Sequence, residues 1–135
     1  MHKKGFTLIE LLVVVSLIGI LATLVIANMN SARERARDAT RKSDLRNIQT
    51  ALRLYYNDNG GYPATAAMGV WGDPWTPYMN ILPADPLSSQ SYSYTSVAGS
   101  DDYTLYACLE NASDDKCVDV VVGVCTSLCK YEVKP

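Results

Sequence analysis

Histidine occurs once in the 135 residues, as His2 at the extreme N-terminus, so no imidazole is available near the rest of the chain. The four cysteines include no C-x2-C pair and the one histidine lies far from them, which disfavours a zinc site. A glycine-rich phosphate loop is missing, as is the D-x-D-x-D-G pattern of a calcium loop. An enzyme would need a nucleophile beside a base, a pocketed pair of carboxylates or a metal cluster, and none is legible, which disfavours catalysis. Neither Pro nor Gly interrupts the chain between Ile20 and Asn59, and there is no internal repeat or low-complexity tract. Charge is almost absent from Leu8 to Ala27, where Glu10 stands alone among twenty residues.

A chain of this length has room for one small domain, and residues spent in a membrane are subtracted from its core. The net charge of −2 hides a strong segregation. From Arg33 to Arg53 there are seven Lys/Arg and three Asp/Glu; from Leu54 onward there are three and ten. A basic rod is joined to an acidic head, a balance that disfavours nucleic acid as a partner.

LIELLVVVSLIGILATLVIA, residues 8–27, has the length needed to cross a hydrocarbon core of about 30 Å. A secretory signal peptide cut near Ala22 or Ala27 is the competing reading, against which stand the run's length and its β-branched content. Beyond the run, Leu45, Ile48, Leu52 and Tyr55 form one apolar line, and Ala32, Ala36 and Ala39 place small residues on a comparable line nearer the membrane. Asn57-Asp58-Asn59-Gly60-Gly61 stops the helix. The pattern predicts one helix from about Phe6 to Asn59, on the order of 80 Å long.

Pro63, Pro74, Pro77, Pro83 and Pro86 then punctuate a loop-rich stretch. Tyr92–Thr95, Tyr103–Leu109, Val118–Val124 and Leu128–Val133 read as short strands rich in β-branched and aromatic residues. The expected fold is α+β: a long N-terminal helix, membrane anchor first and amphipathic half second, packed on a small antiparallel sheet. Most of the nine tyrosines and two tryptophans read as core or strand residues. Cys108, Cys117, Cys125 and Cys129 all fall in the last third, which favours disulfides in an oxidising compartment over a metal site; three pairings are open.

Glu10 is anomalous inside the apolar run, because a charge in a bilayer costs several kcal/mol and marks function or a buried partner. With its surroundings, KKGFTLIELLVVVSLIGILATLVIA, it resembles the class III signal of type IV pilins and of the pseudopilins of type II secretion. The Tyr55–Pro63 helix ending, YYNDNGGYP, and the segment WGDPWTPYMNILPADPL, residues 71–87, are similar more loosely, and likeness fades past Ser88.

The resemblance implies the pilin fold and a set of roles. Residues 1–5 would be a leader removed by a prepilin peptidase at the Gly5–Phe6 junction, and Phe6 would be N-methylated. Residues 6–28 would be the transmembrane or filament-core half of the helix, 29–59 its amphipathic half and 60–135 the head. Glu10 would pair with the new amino group of Phe6 on a neighbouring subunit and so set assembly register. The partners implied are further copies of the chain in a helical filament, the peptidase and methyltransferase, an inner-membrane assembly platform, and the membrane before assembly. The head would lie outside the cytoplasm, first at the inner membrane and later in an extracellular pilus or a periplasm-spanning pseudopilus. Cofactors are not expected, except that major pseudopilins bind calcium in their C-terminal loops, which makes Asp101, Asp102, Asp114, Asp115 and Asp119 weak calcium candidates.

Two departures matter. Ala27 stands where many pilins carry a helix-loosening proline, so the helix is expected to remain more continuous than theirs, with Gly19 its only soft point. The basic residues after the span, Arg33, Arg35, Arg37, Arg41 and Lys42, outnumber His2, Lys3 and Lys4 before it. A bare charge rule would therefore put the head inside; the leader and the cysteines override it. Arg33, Arg37 and Arg41 repeat at i+4 and read either as a solvated face or as a stripe that meets lipid headgroups and then acidic neighbours. The leading function is a filament subunit, the alternative a major pseudopilin driving export, and behind these a minor tip pilin or adhesin or a membrane-anchored enzyme.

Overall fold

The computed structural model describes residues 5–119, 125 and 129–135. Its elements are α1 (Leu8–Asn59), a short 3-10 turn (Thr65–Ala67), β1 (Ser93–Thr95), β2 (Thr104–Cys108), β3 (Val118–Asp119) and β4 (Cys129–Val133). The chain divides into two compact units, residues up to Glu34 and Arg35–Pro135, and α1 contributes to both.

In the first unit α1 is the one helix among the described residues long and apolar enough to cross a membrane, and none of its apolar stretch is covered within the subunit. Leu8, Leu11, Leu12, Leu17, Ile18, Leu21 and Leu24 are all exposed. Its few polar side chains turn back onto the helix: Ser16 donates to the Leu12 and Val13 carbonyls, Thr23 to Ile20, and Asn28 to Leu24. Such bonds leave no hydroxyl or amide unpaired where water is absent. The helix passes Gly19 without interruption.

In the second unit the predicted line is the core. Leu45, Ile48 and Leu52 are fully buried, with Ala51 beside them. They meet Leu82, Tyr94, Tyr103, Leu105, Ala107 and Val133. Each fully buried Leu or Ile contributes about 1.5–3 kcal/mol. Ala32, Ala36 and Ala39 are exposed and take no part. The helix ends as the sequence predicts: Gly60 adopts φ 72° and its N–H donates to the Tyr56 carbonyl at 2.8 Å, a left-handed cap that glycine adopts without cost. Gly61 is required for another reason, since a Cβ there would lie 2.6 Å from the Gly99 Cα. That close approach lets Tyr62 bridge to Ser100, tying the helix end to the turn before β2.

The sheet has the order β1-β2-β4-β3, every neighbour antiparallel. In β2 burial alternates, Leu105 and Ala107 inward and Thr104, Tyr106 and Cys108 outward, the period of a strand with one covered face. The first two predicted strands are present, the first shorter by Tyr92 and the second by Tyr103 and Leu109. Of the third, Val118 and Asp119 are in β3 and residues 120–124 lie outside the described residues; the fourth begins at Cys129, and Leu128 lies outside them too.

Candidate assembly surface and the clamp behind it

Gly5 and Phe6 precede α1 as irregular, exposed chain, with Phe6 81% accessible. Thr7 and Glu10 then form a reciprocal cap. The Thr7 N–H donates to Glu10 Oε2 at 2.9 Å, the Glu10 N–H to Thr7 Oγ1 at 3.3 Å, and the Thr7 hydroxyl to Glu10 Oε2 at 2.6 Å. This Thr-x-x-Glu box satisfies amide donors at the first turn that have no partner within the helix. Within one subunit the Glu10 carboxylate thus has local hydrogen bonds and, among the described residues, no cation.

The arginine line is not a solvated face, and this corrects the expectation drawn from the i+4 repeat. Arg33 is exposed, but Arg37 is half-buried and Arg41 is 0% accessible. The reason is helical phase: Arg41 lies four residues before Leu45, on the same line as the core, and Asp38 lies three further back. The Arg41 guanidinium donates from Nε and Nη2 to both oxygens of Asp85, each at 2.8 Å. Its Nη1 reaches Asp38 and Glu110, each at 2.7 Å. Arg37 grips Glu110 with Nε at 2.8 Å and Nη2 at 2.6 Å. Asp38 in turn accepts the backbone N–H of Glu110 at 3.0 Å and of Asn111 at 2.8 Å. Burial alone would lower the Arg41 pKa; its bonds to Asp85, Glu110 and Asp38 outweigh that and raise it. The Arg37 bonds, opposed by desolvation and helped by Arg41, hold Glu110 down at about 2.

Asp38, Asp85 and Glu110 belong to no motif of the sequence. Continuing the Leu45–Ile48–Leu52 line backward by i−4 and i−7 would have landed on Arg41 and Asp38, opposite charges on a core line. Nothing local points to Asp85 or Glu110, which come from 44 and 69 residues away.

The tail acids are dispersed. Asp101 accepts the Tyr56 hydroxyl at 2.7 Å. Lys42 Nζ sits on both oxygens of Asp114 at 2.5 Å, which lowers the Asp114 pKa, and Asp114 also accepts the Lys116 N–H. Asp102 and Asp115 are exposed, and the Asp119 backbone pairs with Cys129 in the sheet. Among the described residues no three His, Cys, Asp or Glu side chains gather as metal ligands. Among the described side chains, with Asp114 occupied by an ammonium, the candidate acids do not assemble a calcium-ligand set. Chelation with EDTA is expected to leave the thermal unfolding midpoint of the purified protein unchanged; a fall would point to a bound metal. The cysteines are paired Cys108–Cys125 and Cys117–Cys129, covalent staples within a small domain.

A long N-terminal helix whose second half packs on a four-stranded antiparallel sheet is the pilin fold. Residues 1–26 match the prokaryotic N-terminal methylation motif, and residues 28–116 match the family described as type II secretion system (T2SS), protein G. The chain is similar to the type II secretion system core protein G of Pseudomonas aeruginosa, 34% identical over 118 residues that cover 78% of this chain and 82% of that one. It is also similar to the type IV wide pilus major component PilA4 of Thermus thermophilus, 34% identical over 102 residues, 73% and 74% of the two chains. The core protein G of Pectobacterium carotovorum is 40% identical over 64 residues, 47% of this chain and 41% of that one. No solved structure matches. The chain belongs to the type II secretion system protein G family and carries its N-terminal methylation motif.

Proposed function

We propose that the chain is a structural subunit of a type IV pilus or pilus-like filament, released from its leader at Gly5–Phe6 and polymerising through the apolar half of α1. The observation that carries this reading is the bare apolar stretch immediately after that junction, which lipid covers before assembly and other copies cover afterwards. Glu10, capped within its own helix, would then meet the N-methylated amino group of a neighbour's Phe6. A peptidase that also methylates, and an inner-membrane assembly platform, are the partners this route needs. Relatives named as a secretion-system core protein and as a major pilus component support a structural role over a catalytic one. The secretion name also supports the second reading, a major pseudopilin driving protein export. Paired cysteines support a head on the oxidising side of the membrane.

Mass spectrometry of the N-terminal peptide tests the proposal. The mature protein is expected to begin with N-methylphenylalanine at Phe6, and Gly5→Ala to retain the leader. A mature chain beginning at Met1, or one cut near Ala27, would overturn it.

A further inference from the structure

With Arg37, Arg41 and Lys42 consumed inside the head, three of the remaining arginines of α1 form a different stripe. Arg35, Arg46 and Arg53 are exposed, and among the described residues none makes a salt bridge or a side-chain hydrogen bond. Their separations of eleven and seven residues are close to three and two helical turns, which aligns them on one face with gaps of roughly 16 and 10 Å. Between them the exposed neighbours are Ala39, Ser43 and Thr50, small or polar. The opposite charge is collected where α1 ends. Asp58 is on its last turn, and Asp101 and Asp102 are drawn to the same end by the Tyr56–Asp101 bond and the Tyr62–Ser100 bridge. All three acids are exposed, and among the described residues none has a salt bridge.

We infer that the Arg35–Arg46–Arg53 face of α1 docks the acidic end, Asp58 and Asp101–Asp102, of a second copy of this chain. The inference rests on the filament reading and adds the contact between heads. A face with three unpaired arginines cannot meet itself across a two-fold axis, because like charges would be opposed. Basic face against acidic end is a heterologous contact, and such contacts propagate into open helical assemblies instead of closing as dimers. A lipid surface fits the same face poorly. Helices that lie on membranes insert bulky apolar residues beside their basic ones, and here the residues between the arginines have little or nothing to insert. Small side chains instead allow a protein surface to approach closely.

The test is a charge swap in the full-length protein expressed in its host, read by the mass of filaments sheared or pelleted from cells. Arg46→Glu with Arg53→Glu, and separately Asp58→Arg with Asp102→Arg, are each expected to lower filament yield at least tenfold. Leader removal should stay as in the wild type and the thermal midpoint close to it, since among the described residues none of these four side chains makes a hydrogen bond or a salt bridge. The quadruple variant restores opposite charges across the contact and is expected to recover at least half the yield. Unchanged yields in both double variants would overturn the inference, as would a quadruple variant no better than either double. Loss of binding to phosphatidylglycerol vesicles in the arginine double variant, with no recovery in the quadruple, would assign the stripe to lipid and overturn it too. If processed wild-type chain forms no filaments at all, the filament reading itself fails, an outcome separate from the preceding ones.

Discussion

Replacing Arg41 with leucine is expected to lower the unfolding midpoint by more than about 12 °C, measured by circular dichroism on the detergent-solubilised protein. Asp38, Asp85 and Glu110 all converge on that one guanidinium, with the Asp85 and Asp38 side chains only 1% and 3% accessible. Removing the cation leaves their charges buried and under-compensated, a loss of about 3–5 kcal/mol when one side of a buried ion pair is deleted. For a domain of about 100 residues each kcal/mol shifts the midpoint by roughly 4–8 °C. Arg41→Lys should rescue little of this, because a single ammonium cannot grip both Asp85 oxygens while also reaching Asp38 and Glu110. A midpoint within 3 °C of wild type in Arg41→Leu would show that the cluster is slack.

The same cluster sets an acid limit. Glu110 has its pKa lowered from the ordinary 4.5 to about 2. The unfolded chain therefore binds that proton first, so the stabilisation from Glu110 is complete above about pH 4.5 and drains away as pH falls toward 2. Wild-type midpoints should be flat in this contribution from pH 7 to 5 and fall below it.

Glu10→Gln is expected to leave leader removal intact and to reduce filaments at least tenfold, read by immunoblot of processed chain against sheared filaments. Glutamine retains the shape of the Thr7 cap and its acceptor oxygen, and it serves in capping boxes as glutamate does. What it removes is the charge. An ionised carboxylate within an apolar span costs several kcal/mol without a counter-ion, and each 1.4 kcal/mol is a factor of ten in association. Wild-type filament levels with Gln at this position would show that Glu10 acts only as a helix cap.

Much of this was written locally in the chain. The Leu45–Ile48–Leu52 line, the Gly60 cap and the alternation through Leu105 and Ala107 are short-range patterns, and the fold places each where the pattern points. The N-terminal segment was legible because a lone charge in an apolar run has few explanations. The clamp was not, since the Arg41 and Asp38 positions on the core line have no visible partners until Asp85 and Glu110 arrive from distant loops. Reading Arg33, Arg37 and Arg41 as one stripe failed for the same reason: an i+4 repeat drifts around the helix, and by Arg41 it has reached the core line. Cysteine pairing was equally out of reach, because it depends on the register that places both Cys108 and Val118 opposite Lys130 on β4.

The clamp also fixes where tension enters the head. A pull transmitted along α1 reaches Arg37, Asp38, Arg41 and Lys42 before it reaches Leu45 and the apolar contacts beyond. There it divides between two segments of chain, through Asp85 on one and Glu110 and Asp114 on the other. Paired charge-assisted bonds aligned across the helix resist such shear together, so traction on the rod is shared by the loop and the tail before any hydrophobic surface has to slide.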